Sequence, residues 1–298
     1  MRKIIAYFLM IIMLLLPASY AGHHHHSGCA HRGYYHGSPS SSTPIYLIGK
    51  DYKKQEEKFA NCDKHYMIVE TFVNYYSDGT RRIFKNCTIC NSDGTILQTD
   101  CQSVKHILFR QNHYFIIRKL KYYYIMDSSG EIITERAYTG MEELAPNRLL
   151  VRFNKKYGII DLQENVIAQI KYKDITKCGN DVYITKLNGY YGLMDIDGKT
   201  LVPNDCERVK LLYDTIMLRR YGKYGLANKN GKIIVPLEND KIKKLGEYIV
   251  IKKDNRAKLL DNTGKEINGL SYKKLKMERN KLYGLTNDSG WVEINSEL

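Results

Sequence analysis

Six of the nine histidines lie between residues 23 and 36, namely His23, His24, His25, His26, His31 and His36. Imidazoles at that density bind Zn(II), Cu(II) or Ni(II) loosely, and one subset would bind more tightly. Cleavage after Ala21 exposes Gly22-His23-His24 as a new terminus. Its free amine, two deprotonated amides and third-residue imidazole form a square-planar nitrogen set suited to Cu(II) or Ni(II). A solvated spacer that holds no metal is the competing reading, and nothing in the sequence makes a cofactor obligatory.

Sulfur is the second candidate chemistry. There are seven cysteines, an odd number. Cys62, Cys87, Cys90 and Cys101 cluster ahead of the regular repeats, while Cys178 and Cys206 stand in adjacent units. In an exported chain, disulfides are the default for such a cluster. The spacing Cys87-x-x-Cys90 also raises a four-thiolate zinc site. Residues 81–90 read as a strand, where positions three apart face opposite sides, so a zinc knuckle would have to interrupt it. Free or mixed thiols are the third reading.

No nucleophile elbow, paired-histidine zinc helix, phosphate loop or dinucleotide glycine fingerprint occurs in the sequence. Asp127, Asp161, Asp195 and Asp261 recur, but at one fixed place before a turn, which makes them side-chain caps. Asp195-Ile196-Asp197-Gly198 opens like a calcium loop and lacks the remaining spaced oxygens and the closing glutamate.

The elements that carry these residues are repeats. Tyr157-Gly158-Ile159-Ile160-Asp161, Tyr191-Gly192-Leu193-Met194-Asp195, Tyr224-Gly225-Leu226-Ala227-Asn228 and Tyr283-Gly284-Leu285-Thr286-Asn287 are the clearest copies. Tyr123 and Ala257 open weaker ones, so the starts at 123, 157, 191, 224 and 257 are 34, 34, 33 and 33 apart, and the last step, to 283, is 26. Gly130, Gly198, Gly231, Gly264 and Gly290 stand three residues after the Asp/Asn column; Glu164 breaks the series, and Asn165 is expected to take the left-handed position there. Apolar runs flanking an Asp/Asn–Gly turn predict a hairpin. Pro203 and Pro236 end its second strand. A second pair of short strands completes each unit, with Asp174-Ile175 and Val182-Tyr183-Ile184 as examples.

These columns resemble the WG-repeat family, whose motif reads roughly Trp-Gly-apolar-apolar-Asp-x-x-Gly-Lys-x-apolar-apolar-Pro. Gly192 to Pro203 and Gly225 to Pro236 follow it almost column by column. The resemblance covers about residues 87–298, with tyrosine in place of tryptophan; the only tryptophan, Trp291, follows a turn glycine. It implies a bacterial β-repeat module without assigned catalysis, hence a scaffold or binding role and no particular ligand.

A ~34-residue unit cannot bury its apolar face alone, so neighbours must stack on it. The expected fold is all-β, with tandem β-repeats in about six units plus a terminal half-unit. Propeller-like closure is favoured over an open hairpin solenoid, with Met67–Tyr75 and Arg81–Phe84 completing the last half-unit. Residues 45–86 are expected to form a cap with a β-hairpin and a short helix around Lys53–Asn61.

Composition bounds the rest. With 43% apolar residues and 26% charged, the chain is neither disordered nor a polytopic membrane protein. Met1-Arg2-Lys3 precedes an apolar run from Ile4 to Leu16, which spans about 20 Å against a ~30 Å hydrocarbon core. Residues 1–21 therefore read as a secretory signal peptide, with a Ser/His-rich leader at 22–44 and no transmembrane helix in the mature chain. The expected location is secreted, periplasmic or cell-envelope. The net charge of +14 allows a polyanionic partner without selecting a specific nucleic acid. The function expected is an exported, non-enzymatic scaffold that binds protein or envelope ligands; the alternative is metal capture or sensing by the histidine leader.

Overall fold

The computed structural model describes residues 44–294, so the expected signal peptide, Cys29 and the leader histidines lie outside the described residues. Every regular element among those residues is a β-strand. The strands form seven small sheets, each running back and forth in chain order with antiparallel pairing. The first holds β1 (Leu47–Lys58), β2 (His65–Tyr76), β3 (Arg81–Asn91) and β4 (Ile96–Cys101). The second holds β5 (Ser103–Phe109), β6 (Asn112–Lys119) and β7 (Tyr122–Asp127). The third is β8 (Gly140–Ala145) to β11 (Val166–Tyr172), with β9 (Arg148–Phe153) and β10 (Lys156–Ile160) between. The fourth comprises β12 (Asp174–Lys177), β13 (Val182–Leu187), β14 (Tyr190–Asp195) and β15 (Thr200–Cys206). In the fifth stand β16 (Arg208–Leu212), β17 (Thr215–Arg220), β18 (Lys223–Asn228) and β19 (Ile233–Asn239). The sixth is β20 (Lys241–Leu245), β21 (Tyr248–Lys253) and β22 (Arg256–Leu260), and the seventh β23 (Lys274–Glu278), β24 (Lys281–Leu285) and β25 (Trp291–Glu293).

In the fourth sheet the motif occupies β14, its Asp ends that strand, and the turn leads into β15. Asp195 Oδ1 accepts from the amides of Asp197 (3.1 Å) and Lys199 (2.8 Å), and Gly198 has φ +81°. Asp127, Asp161, Asn228 and Asp261 repeat the same two bonds. The capping role is therefore observed. At the broken column the left-handed residue is Glu164 (φ 64°) and not Asn165. Its carboxylate accepts from the Glu135 amide and, at 2.7 Å, from the Tyr138 hydroxyl, so the side chain ties the turn to the preceding strand region. In the second and sixth sheets the fourth strand shrinks to isolated bridges, such as Tyr123 with Tyr138 and Ala257 with Tyr272. The seventh sheet has three strands, and its step of 26 falls about one strand short of 33.

Each apolar core is shared by consecutive sheets. Val69 and Ile89 of the first pack with Phe115 and Ile117 of the second. Ile125 of the second meets Leu149 and Val151 of the third, and Ile159 of the third meets Tyr183 and Met194 of the fourth. The series continues with Leu193 and Ile216, then Leu226 and Ile249, then Val250 and Leu282. No such core among the described residues joins the seventh sheet to the first.

Pro203 and Pro236 do not end their strands: β15 runs on to Cys206 and β19 to Asn239, the prolines lying in the bulged stretch where the register slips. Three further expectations change. Met67–Tyr75 and Arg81–Phe84 do not complete the last unit: they lie in β2 and β3, paired with one another in the first sheet (Phe72 opposite Phe84). Lys53–Asn61 is not a helix, because β1 runs to Lys58 and pairs residue by residue with β2. Its Lys/Glu-rich composition suits a helix, but pairing overrides propensity. The cap boundary at residue 86 falls inside β3, so residues 45–86 belong to the first sheet of the array.

The turn glycines serve twice. Besides its positive φ, a side chain at Gly198 would collide with the Ile167 carbonyl of the preceding sheet, whereas Gly189 (φ +89°) has open space around it. Gly198→Ala is therefore expected to cost about 1–3 kcal/mol more than Gly189→Ala, the overpacking adding to a similar backbone strain. Urea unfolding midpoints of the two variants check this.

Candidate functional site

The Tyr-Gly motif has a steric cause. Gly192 begins a bulged stretch in which the register of β15 slips between Tyr191 and Leu193. The slip lays the Val202 carbonyl 2.6 Å from where a Gly192 Cβ would stand. Gly158 and Gly225 are covered in the same way by the Ala168 and Val235 carbonyls, each at 2.7 Å, and Gly284 by the Tyr272 ring. At Gly158, Gly192 and Gly225 backbone crosses backbone, so only glycine fits there; Tyr124 and Lys258 take the same column in the second and sixth sheets, where the fourth strand is reduced to bridges.

Beside it, Tyr157, Tyr191, Tyr224 and Tyr283 are half-buried, and each faces a cation across the sheet. Arg152, Lys186, Arg219 and Lys276 are their register partners, with charges 5.6, 4.6, 5.5 and 5.6 Å from the ring centroids. Arg118 stands opposite Tyr123 in the second sheet. A cation over a tyrosine face contributes about 0.5–1 kcal/mol at such partly exposed sites. The column was readable as a Lys or Arg five residues before each motif start at 123, 157, 191, 224 and 257, and the sequence reading missed it.

In the sixth sheet the motif aromatic is Ala257, and its register partner Lys252 has no ring beneath it. A cleft of about 410 Å³ opens there. Six lysines line it: Lys241, Lys243, Lys252, Lys273, Lys274 and Lys276. Ala257 and Trp291 are among its apolar walls, and no acidic residue is. Lys276 lies 4.7 Å over the Trp291 ring and also pairs with Glu278 at 2.6 Å, holding that carboxyl below its ordinary range. The arrangement offers clustered positive charge beside an exposed aromatic surface.

Residues 157–191 and 224–256 match the family model of the WG containing repeat. The chain carries WG repeats. Among curated proteins no sequence matches it. Solved structures resemble it loosely. PorZ, a bacterial surface component of the type-IX secretion system of Porphyromonas gingivalis, is 12% identical over 84% of this chain, with a TM-score of 0.26. This chain spans 37% of that protein. Kluyveromyces lactis Hsv2 is 11% identical over 76% of this chain and 94% of its own, with a TM-score of 0.29. The AfRom2 CNH domain is 8% identical over 85% of this chain and 99% of its own, with a TM-score of 0.25. Likeness this loose says nothing of what the WG-repeat chain binds.

The sequence reading also missed a histidine cluster. His65, His106 and His113 are the three histidines outside the leader, and all three meet between the first two sheets with Cys62. Cys62 sits in the connection after β1 and His65 opens β2; their Sγ and Nδ1 atoms are 3.4 Å apart. His65 Nε2 lies 3.1 Å from the Ser128 carbonyl. His106 and His113 flank the tight hairpin of β5 and β6, stacked with Nε2 of the first 2.8 Å from Nδ1 of the second. Phe59 and Phe115 wall the site. Burial and the neighbouring imidazoles push the pKa of His106 down; burial, His65 and Lys64 do the same for His113. Both are therefore neutral around pH 7.

The expected cysteine cluster is not one site. Cys62 stands with the histidines, whereas Cys87 faces Cys101 as a register partner across β3 and β4. The four thiols do not assemble into a zinc knuckle, since β3 runs unbroken through Cys87 and Cys90. All six described cysteines are buried, unbridged thiols in place of the expected disulfides. Burial pushes the Cys101 and Cys178 thiols up to about 11 and raises those of Cys87 and Cys206, so these four stay protonated and act as small apolar groups.

The turn caps carry a pH dependence. Burial alone would raise the Asp261 carboxyl, but hydrogen bonds from Thr263 and from the Lys265, Thr263 and Gly264 amides lower it overall. A carboxyl depressed in the folded state stabilises above its unfolded pKa, and that contribution is lost as the pH falls through the folded value. Asp261→Asn, which reproduces the natural Asn228 cap, should keep the turn and remove its share of the acid sensitivity below about pH 4. Asp261→Ala should cost about 1 kcal/mol at neutral pH. Denaturant midpoints from neutral pH down to below about pH 4 check both.

Proposed function

We propose that this protein is an exported, non-enzymatic WG-repeat scaffold, and that it binds an extended acidic ligand of the cell envelope in the cleft between its sixth and seventh sheets. The observation that carries this reading is the six-lysine lining at the one repeat whose motif aromatic is replaced by alanine. Losing the ring leaves Lys252 without the partner its counterparts have, and the neighbouring lysines add charge, of which that of Lys276 is paired with Glu278. Exposed Trp291 supplies an apolar face against which a ligand chain can lie. The absence of catalysis is supported by how the reactive residue types are used: the motif Asp side chains cap turns and the repeat thiols sit protonated in cores. The signal-like start supports an extracytoplasmic setting.

Binding of this kind is ionic and screened by salt within a Debye length of about 8 Å at physiological strength. The full chain should bind immobilised polyglutamate and polyphosphate more weakly as salt rises. Lys241→Glu, Lys243→Glu and Lys274→Glu together should weaken it at least tenfold, about 1.4 kcal/mol. Reversing Lys53 and Lys54 on the first sheet should change it less than twofold. Equal losses in the two variants, measured by surface plasmon resonance, would reduce the effect to net charge and end the reading. The leader histidines support a second proposal, metal capture ahead of the repeats. There the full chain takes up Cu(II) or Ni(II) that a chain lacking residues 22–37 does not; equal uptake refutes it.

A further inference from the structure

The geometry points to a Zn(II) site formed by Cys62, His65 and His113 between the first two sheets, with His106 positioning His113. Outside the leader the chain has only three histidines, and all of them gather beside one cysteine from three separate strands, β2, β5 and β6. The ligand atoms of Cys62, His65 and His113 all lie within 4.8 Å of one another. With Zn–S at about 2.3 Å and Zn–N at about 2.0–2.1 Å, a tetrahedral angle sets an S···N edge of about 3.5 Å. The Cys62–His65 pair already stands at 3.4 Å.

The surrounding bonds suit ligation. His65 Nε2 donating to the Ser128 carbonyl at 3.1 Å leaves Nδ1, the nitrogen facing Cys62 Sγ, with its lone pair free. Outer partners that fix a tautomer in this way are the usual support of a metal-bound histidine. The 2.8 Å bond between His106 and His113 Nδ1 gives the second imidazole the same kind of support and leaves its Nε2 for the metal. Cys62 and His65 are each 5% exposed, so the site is dry on the first-sheet side, while His113 is half-buried and gives a route in. One thiolate with two imidazoles is a donor set that a borderline-soft, d¹⁰ ion accepts without a strict geometric demand. Binding releases the Cys62 thiol proton to solvent. The ligands come from both sheets, so the ion fastens one to the other.

The full chain, reduced and with the six leader histidines replaced by serine, isolates this site from the leader. It should bind one equivalent of Zn(II), and Co(II) in its place should give a thiolate-to-cobalt charge-transfer band. Zn(II) should raise its melting temperature. Cys62→Ser should abolish the band, His113→Gln should weaken Zn(II) affinity at least a hundredfold, and His106→Ala tenfold to a hundredfold with the band retained. Circular dichroism establishes that each variant keeps its strands. Absence of the cobalt band in the parent would overturn the site whether or not the variants fold. So would undiminished Zn(II) binding after Cys62→Ser or His113→Gln. Loss of polyanion binding by the lysine variants leaves this test untouched, since the two sites lie in different sheets.

Discussion

In every regular unit of this protein, backbone has to pass directly over backbone. The Val202 carbonyl occupies the place where a Gly192 side chain would begin, and the Ala168 and Val235 carbonyls do the same over Gly158 and Gly225. That approach is possible because the register slips by a bulge at the same point, between motif Tyr and the second apolar residue. The bulge sharpens the twist of the hairpin. One sheet's turn glycine then drops onto the preceding sheet, Gly198 on Ile167 and Gly231 on Leu201. The glycine columns thus link the local hairpin to the stacking of sheets, and the stacking is what creates the cores.

Because each core draws side chains from two sheets, the aromatic column is not the main source of stability. Ile, Leu, Val and Met residues at near-zero exposure fill the shared interiors, whereas the motif tyrosines remain half-buried under a lysine or arginine. This separation explains how the sixth unit tolerates Ala257. Leu259 and Leu260 still fill the cores on either side of that sheet, and only the outer ring is lost. Degeneration of the repeat there opens space lined by lysine without undoing the fold.

The period, the Asp caps and the four-strand order of a unit were legible because each depends on residues within one stretch of about 34. The Lys/Arg column five residues ahead of each motif was equally local, but it emerges as meaningful only once Arg152 and Tyr157, or Lys186 and Tyr191, are seen to be register partners. Local composition misled at Lys53–Asn61, where solvent-facing Lys and Glu on a long paired strand look like a helix surface. The histidine cluster was not legible at all. Cys62 and His65 are separated from His106 and His113 by some forty residues, and only the stacking of the second sheet on the first brings them together. The same applies to the end of the array, where β2 and β3 satisfy one another and are not left to complete a distant sheet.

Arrays whose units touch only their neighbours are weakest at the ends, because a terminal sheet has one partner face and not two. The two ends here differ in a way that follows from this. The first sheet is the largest, with strands of 12, 12 and 11 residues that pair along nearly their whole length. Its extra length projects apolar residues such as Ile83 and Phe84, about half exposed, beyond the region that the second sheet can cover. The Cys62–His cluster lies where the two sheets do meet, so a bound ion would add a fastening at the interface that the long sheet leaves under-covered. The seventh sheet is the smallest, lacks a strand and borders the lysine cleft, so one wall of the cleft includes the shortest strand of the array, β25. The long first sheet and the short seventh are two ends of a single construction, in which each sheet is held by the neighbour it stacks on.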